Sequence, residues 1–214
     1  MEHPFIRNKE IILASASPRR AELLRQIGLK FEVRPSAVDE GKNKSESLRE
    51  YVKRVALSKA ESAAETCRGE RPFAPTVIIA ADTIVVINKK RLGKPESPES
   101  ATAMLKRLSG KCHTVMTGVA VCDTFTKKKI TKVVETKVWF KRLTDEEIAD
   151  YVRSGEPLDK AGGYGIQGRA AVFVKKIEGD YFNIVGLPLN TLYKILIALP
   201  LNYTKSSCII YPIR

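Results

Sequence analysis

The stretch Val77-Ile78-Ile79-Ala80-Ala81, which runs without a polar side chain into Asp82-Thr83, constrains this fold more than any other feature of the chain. A strand with one wet face alternates apolar with polar residues, whereas a strand that is apolar at every position must be covered on both faces. Helices have to supply that cover. A first one follows Ile11-Ile12-Leu13-Ala14, a short apolar strand that leads straight into Ser15-Ala16-Ser17-Pro18-Arg19-Arg20. Ser17 suits the N-cap and Pro18 the first helical position, Ala21, Leu24 and Ile27 recur at helical spacing, and Gly28 supplies the stop.

Phe31-Glu32-Val33 reads as another strand, with Asp39-Glu40 in the loop behind it. Ser47 and Glu50 have the spacing of a capping box, and Leu48, Val52, Val55 and Ala56 mark the inner face of a second helix. Lys59 lies eleven residues after Leu48, about three turns, and so falls on the same inner face. A lysine there needs an explanation, and a side chain that snorkels to the surface near the helix end is one that the spacing leaves open.

Beyond Asp82-Thr83, Ile84 to Ile87 continues to a turn at Asn88, and Leu92-Gly93-Lys94-Pro95 reads as a loop. The pattern then predicts a helix from Pro98 to Leu108 closed near Gly110, a strand from Cys112 to Cys122, a partner strand from Ile130 to Leu143, and a helix capped by Thr144 and Glu147 that ends near Gly155. Glu156 to Gly168 holds four glycines in thirteen residues, the backbone freedom of a loop shaped around a ligand. Two strands about the Glu178-Gly179-Asp180 turn and a helix from Pro188 to Leu199 complete the pattern. Early strand–helix alternation followed by strand-to-strand connections predicts a mixed α/β fold, a twisted mixed sheet flanked by helices. Residues 1–199 are expected to form one domain, with 200–214 a C-terminal appendage.

A chain of 214 residues with 43% hydrophobic residues can bury a sizeable core. No apolar run is long enough to cross a bilayer, and Met1 to Phe5 lacks the basic and apolar regions of a secretory signal, so a soluble cytoplasmic protein is expected. Cys67, Cys112, Cys122 and Cys208 are scattered, and the two histidines are His3 and His113. Reduced structural cysteines fit this better than a zinc site or a disulfide framework. The net charge of +13 admits a nucleic-acid surface or a pocket for a polyanionic small molecule. Lys127-Lys128-Lys129 reads as a solvated loop, and no alternation of aromatic and basic residues marks a platform for single strands.

Three places can carry chemistry. Ser15 to Arg20 puts hydroxyls, backbone N–H groups and two guanidinium groups at a helix start, where phosphate binds. Asp82 is read at the carboxyl end of its strand, where open α/β sheets hold ligands, and with Glu40 it has the oxygen chemistry for Mg²⁺, with Mn²⁺ or Co²⁺ as alternatives. Lys59 and Lys94 are cations able to offset charge on a leaving pyrophosphate.

Taken in order, Leu13 to Arg20 (LASASPRR), Ala81-Asp82-Thr83, Gly93-Lys94-Pro95, Leu108 to Gly118 (LSGKCHTVMTG), Gly155 to Gln167 (GEPLDKAGGYGIQ) and Gly179 to Leu189 (GDYFNIVGLPL) resemble the Maf family of nucleotide pyrophosphatases. The resemblance runs from about Ile11 to Leu199. It implies a two-lobed α/β fold around a cleft, related to inosine triphosphate pyrophosphatases, a homodimer, and dependence on a divalent cation. Carried over by position, it implies Asp82 as the proton acceptor and metal ligand, Lys59 and Lys94 as catalytic cations, Glu40 as the second acidic ligand, and Ser15, Arg19 and Arg20 as substrate-binding residues. Arg19, Thr83 and Gln167 match the positions associated with a preference for dTTP and UTP, or for modified pyrimidine triphosphates, in a house-cleaning role. A glutamine amide can offer a donor and an acceptor to a pyrimidine edge. The +13 charge and the family's association with septum formation motivate the alternative of a nucleic-acid-binding or cell-division regulatory protein.

Overall fold

The structure is a computed structural model that describes residues 9–199 apart from 42, 44 and 68–75. Seven strands, β1 (Glu10–Leu13), β2 (Glu32–Val33), β3 (Thr76–Ile87), β4 (Lys90–Leu92), β5 (Cys112–Asp123), β6 (Lys129–Phe140) and β7 (Val174–Glu178), form one mixed sheet in the order β2-β1-β3-β5-β6-β7, with β4 beside β3. Its helices are α1 (Pro18–Gln26), α2 (Leu48–Cys67), α3 (Pro98–Leu108), α4 (Asp145–Arg153), α5 (Tyr181–Val185) and α6 (Leu189–Ile197). The expected mixed α/β sheet with flanking helices is what forms.

The demand for cover on both faces of β3 is met by alternate residues. Val77, Ile79 and Ala81 pack with Leu24 of α1 and Leu192 and Leu196 of α6, while Ile78 and Ala80 pack with Ala56, Ala60 and Ala63 of α2. The alanines let α2 lie close to the sheet, because short side chains bring the helix axis nearer to the strands. Further along the α1 side, Val85 and Ile87 join Leu105 and Leu108 of α3 and Ile148 and Tyr151 of α4 in a separate cluster. Two separate apolar clusters thus cover one face of the sheet.

Several local expectations change. Asp82 does not end a strand: β3 continues through it to Ile87, with Asp82 opposite Gly118 of β5. The long ladder with β5 carries the strand past its one carboxylate. On the other edge of β3, β1 pairs only as far as Ile79 and β4 begins opposite Val85, so the sheet opens beside Asp82. Lys90 to Leu92, between a turn with positive φ at Asn88 and Lys89 and the Gly93 loop, is a strand that local patterning missed.

After Glu178-Gly179-Asp180 the chain forms helix α5 and not a second strand, because the Asp180 carboxylate accepts from the Phe182 and Asn183 N–H groups and caps it. Ser17 occupies the N-cap of α1 in an extended conformation, yet its side chain makes no capping bond. The capping boxes at Ser47/Glu50 and Thr144/Glu147 form as expected. Glu156 to Gly168 holds short 3-10 turns. Cys112 and Cys122 are free thiols. The lysine loop is engaged with its own chain, through Lys127 to the Thr124 carbonyl, Lys128 to the Ala198 carbonyl and Lys129 to Glu61. No helix among the described residues is long and apolar enough to cross a membrane. The appendage 200–214, with Cys208, and residue His3 lie outside the described residues.

Candidate active site

Strand alternation sends consecutive side chains to opposite faces, so Asp82 faces α2 and Thr83 faces α1. Each meets a cation there. Lys59, carried inward by the helical period, donates from Nζ to Asp82 Oδ1 at 2.9 Å and lies 2.7 Å from Glu40 Oε1. Its side chain is 12% exposed and that of Asp82 10%, so the inner-face lysine pairs with a buried carboxylate and does not snorkel. Lys59 occupies Oδ1 of Asp82, while Oδ2 has no protein donor among the described residues.

Glu40 sits on an irregular segment that α2 holds in place. The Tyr51 hydroxyl donates to the Glu40 carbonyl at 3.0 Å, and Arg54 donates to the Gly41 carbonyl at 2.7 Å. Partial burial pushes the Glu40 carboxyl up, but the hydrogen bond and charge of Lys59, aided by Lys94 and Arg20, bring it below its ordinary value overall.

On the other face, Arg20 is locked by three acceptors: Nε to the Gly186 carbonyl at 2.9 Å, Nη1 to Ser15 Oγ at 3.0 Å and Nη2 to Thr83 Oγ1 at 3.1 Å. The direction of the bonds behind it can be worked out. Thr117 donates to the Asn183 carbonyl at 3.1 Å, so its 2.9 Å contact with Thr83 has Thr83 as donor, and the Thr83 oxygen remains free to accept from Arg20. Thr83 thus seats a guanidinium group. Arg19, on the exposed side of the same helix start, pairs with Asp159 at 3.3 Å.

These groups line a cleft of about 700 Å³. Ser15, Arg19, Arg20, Glu40, Lys59, Asp82, Thr83 and Lys94 all reach it. Lys94 makes no hydrogen bond or ion pair among the described residues, and its loop is tied down by the Gly162 N–H to the Gly93 carbonyl at 2.8 Å. Gln167 is not among the lining residues: Gly165 and Ile166 are, and the Gln167 side chain is exposed. The sequence reading passed over two further cations of the wall. Arg91 of β4 lies 4.6 Å over the Tyr51 ring, and Lys160 follows Asp159. Neither has a local signal, since Arg91 belongs to the unrecognised strand and Lys160 to a segment with no regular period.

A family model described as Maf-like protein matches residues 10–199. The chain belongs to the Maf family. Among similar proteins, the Maf chain is 50% identical over 188 residues, 88% of its length and 95% of the relative's, to a dTTP/UTP pyrophosphatase of Alkaliphilus oremlandii (strain OhILAs). It is 49% identical to proteins of the same description from Thermoanaerobacter sp. (strain X514), over 87% of this chain and 95% of the relative, and Dictyoglomus turgidum (strain DSM 6724 / Z-1310), over 88% and 95%.

The acidic pair in this Maf chain can be tested against the cation that the family resemblance implies. Among the described residues no three His, Cys, Asp or Glu side chains gather as a cage. Glu40 and Asp82 nevertheless converge on one positive charge, the Lys59 ammonium, and both offer hard oxygen. Mg²⁺ takes one or two carboxylates and completes its shell with water and substrate phosphates, so the donor set fits that ion.

Proposed function

We propose that this chain hydrolyses nucleoside triphosphates, dTTP and UTP among them, to the monophosphate and pyrophosphate. It would thus be a nucleoside triphosphate diphosphatase of the cytoplasm, acting as a homodimer and also on modified pyrimidine triphosphates in a house-cleaning role. The observation that carries this reading is the pairing of Asp82 with Lys59 and Glu40 on one face of β3, beside a helix start bearing Ser15, Arg19 and Arg20. The printed names of the relatives point to the same substrates.

The residues divide the work. The N-terminal turn of α1, with Ser15, Arg19 and Arg20, holds phosphate oxygens, and Lys94, without a hydrogen bond or ion pair among the described residues, is available to the pyrophosphate end. Asp82, with Oδ1 fixed by Lys59, presents Oδ2 to a water molecule, accepts its proton, and directs the oxygen at the α-phosphorus. Pyrophosphate leaves, and its new charge is met by cations already in place, with little reorganisation. A divalent cation held by Glu40 and Asp82 would supply further charge stabilisation to the phosphate oxygens. Arg19, Thr83 and Gln167 remain the residues proposed for pyrimidine preference, Thr83 acting through Arg20.

Asp82→Asn keeps the shape and removes the proton acceptor. Pyrophosphate release from dTTP with Mg²⁺ is expected to fall about 10²–10⁴-fold in kcat. Near-normal turnover would remove Asp82 from this role, and release of single phosphate with a nucleoside diphosphate would overturn the reaction itself.

A further inference from the structure

Lys160 is held more tightly than a surface lysine needs to be. Its Nζ donates to Asp159 Oδ1 at 2.6 Å and to the Glu156 carbonyl at 2.7 Å, and its side chain is 13% exposed. The stem lies against Gly165, where an added Cβ would come within 2.5 Å of Lys160 Cε. The Glu156 carboxylate accepts from the Tyr151 hydroxyl and the Arg169 N–H, which anchors the turn that supplies the carbonyl. An ammonium has three donors. Two are spent, and the third has no protein acceptor among the described residues although Lys160 lines the cleft.

Glu40 and Asp82 keep company with Lys59, Lys94 and Arg20. Lys160 is grouped instead with Asp159, whose second oxygen holds Arg19, and lies beside Gly165, while Ile166 lines the same cleft. Two of its three donors are spent on Asp159 and the Glu156 carbonyl, which leaves one donor on a side chain held in a fixed direction at the cleft wall. That is the environment of a base-reading group.

We infer that Lys160 is a specificity-determining residue that donates its free N–H to the 4-keto oxygen of a uracil or thymine base, with Asp159 and Gly165 as the residues that aim it. This rests on the triphosphate reading proposed above. UTP and CTP differ only along the ring edge that carries a 4-keto oxygen in one and a 4-amino group in the other. A lysine ammonium can donate to the first and cannot accept from the second. Cytosine still offers an acceptor at N3, so the discrimination follows from an ammonium aimed at position 4, and a pocket of apolar shape could not achieve it.

The test compares kcat/KM for UTP and CTP in the full chain and in Lys160→Met, which keeps the stem and removes the donor. The wild-type protein is expected to prefer UTP, and the ratio is expected to fall at least about tenfold in the variant, through loss on UTP, the size of one charge-assisted hydrogen bond. An equal loss on both nucleotides would make Lys160 a phosphate ligand and overturn the inference, as would an unchanged ratio or a wild-type enzyme indifferent to the two. Should Lys160→Met not fold, Gly165→Ala decides. Gly165 has no positive φ, so alanine suits the backbone, and its methyl displaces the lysine stem while leaving the charge. The UTP:CTP ratio should again fall, and a folded Gly165→Ala with the wild-type ratio would overturn the inference. A wild-type protein that releases pyrophosphate from no triphosphate would instead overturn the parent reading.

Discussion

Gly118→Ala tests whether the close approach of α2 to the sheet is what joins Lys59 to Asp82. Gly118 stands opposite Asp82 in the β3–β5 ladder, and α2 passes directly over it. A Cβ at this position would lie 2.2 Å from the Val52 carbonyl oxygen and 2.6 Å from its carbon, both backbone atoms that no rotamer change can move aside. Restoring ordinary contact requires α2 to retreat by about 1 Å, at a cost of about 1–3 kcal/mol. Lys59 is seven residues, about two turns, beyond Val52 and on the same face, so it moves with the helix. The Lys59–Asp82 distance of 2.9 Å would open to about 4 Å, outside hydrogen-bond range. The expected result is a fall in kcat for pyrophosphate release of about 10–100-fold, together with a melting temperature lower by about 2–4 °C per kcal/mol lost. Thermal denaturation followed by circular dichroism separates the two effects, with kinetics measured well below the transition. A Gly118→Ala protein with wild-type kcat and melting temperature would refute the argument that helix–sheet contact sets the catalytic geometry.

Two further outcomes follow from groups behind the cleft. Thr117→Val removes the hydroxyl that takes the Thr83 proton and supplies the Asn183 carbonyl, and at this fully buried position it should destabilise the protein by about 1–3 kcal/mol. It should also raise KM for the triphosphate several-fold through a loosened Arg20, an effect absent if Thr83 does not seat that guanidinium group. His113 is buried, donates to or accepts from the Tyr164 hydroxyl at 2.8 Å, and is pushed down to about 4 by burial. Since the unfolded chain takes up this proton near pH 6.5 and the folded protein only near 4, stability is steady above 6.5 and declines as pH falls between those values, by up to about 3 kcal/mol in all. Urea unfolding across that range should show a steeper acid loss in the wild type than in His113→Phe. Parallel slopes would show that the imidazole is not held neutral.

The parts of the site on regular elements could be placed from periodicity, and the parts on irregular backbone, though named as candidates, could not be positioned by any period. Helical periodicity alone put Lys59 on the inner face of α2, and strand alternation puts Asp82 on the face that α2 covers. The strand appeared to stop at Asp82 because local patterning cannot see that Gly118 lies opposite and Lys59 above, the two contacts that let a carboxylate sit mid-strand. Glu40 had no periodicity to mark it. Its place depends on Tyr51 and Arg54, which reach it across eleven and thirteen residues of chain. In the glycine segment the limitation is sharpest: Gly162 and Gly163 both adopt positive φ, so side-chain direction changes from residue to residue with no period to extrapolate. The family resemblance points to Gln167 as the reader of a base, whereas the turn geometry brings Lys160 to the cleft wall and leaves the Gln167 side chain exposed. Selectivity in such a fold is therefore open to change by single glycine substitutions that leave the Asp82–Lys59 chemistry in place, because the turns that orient the base-reading group share no strand or helix with the residues that act on phosphate.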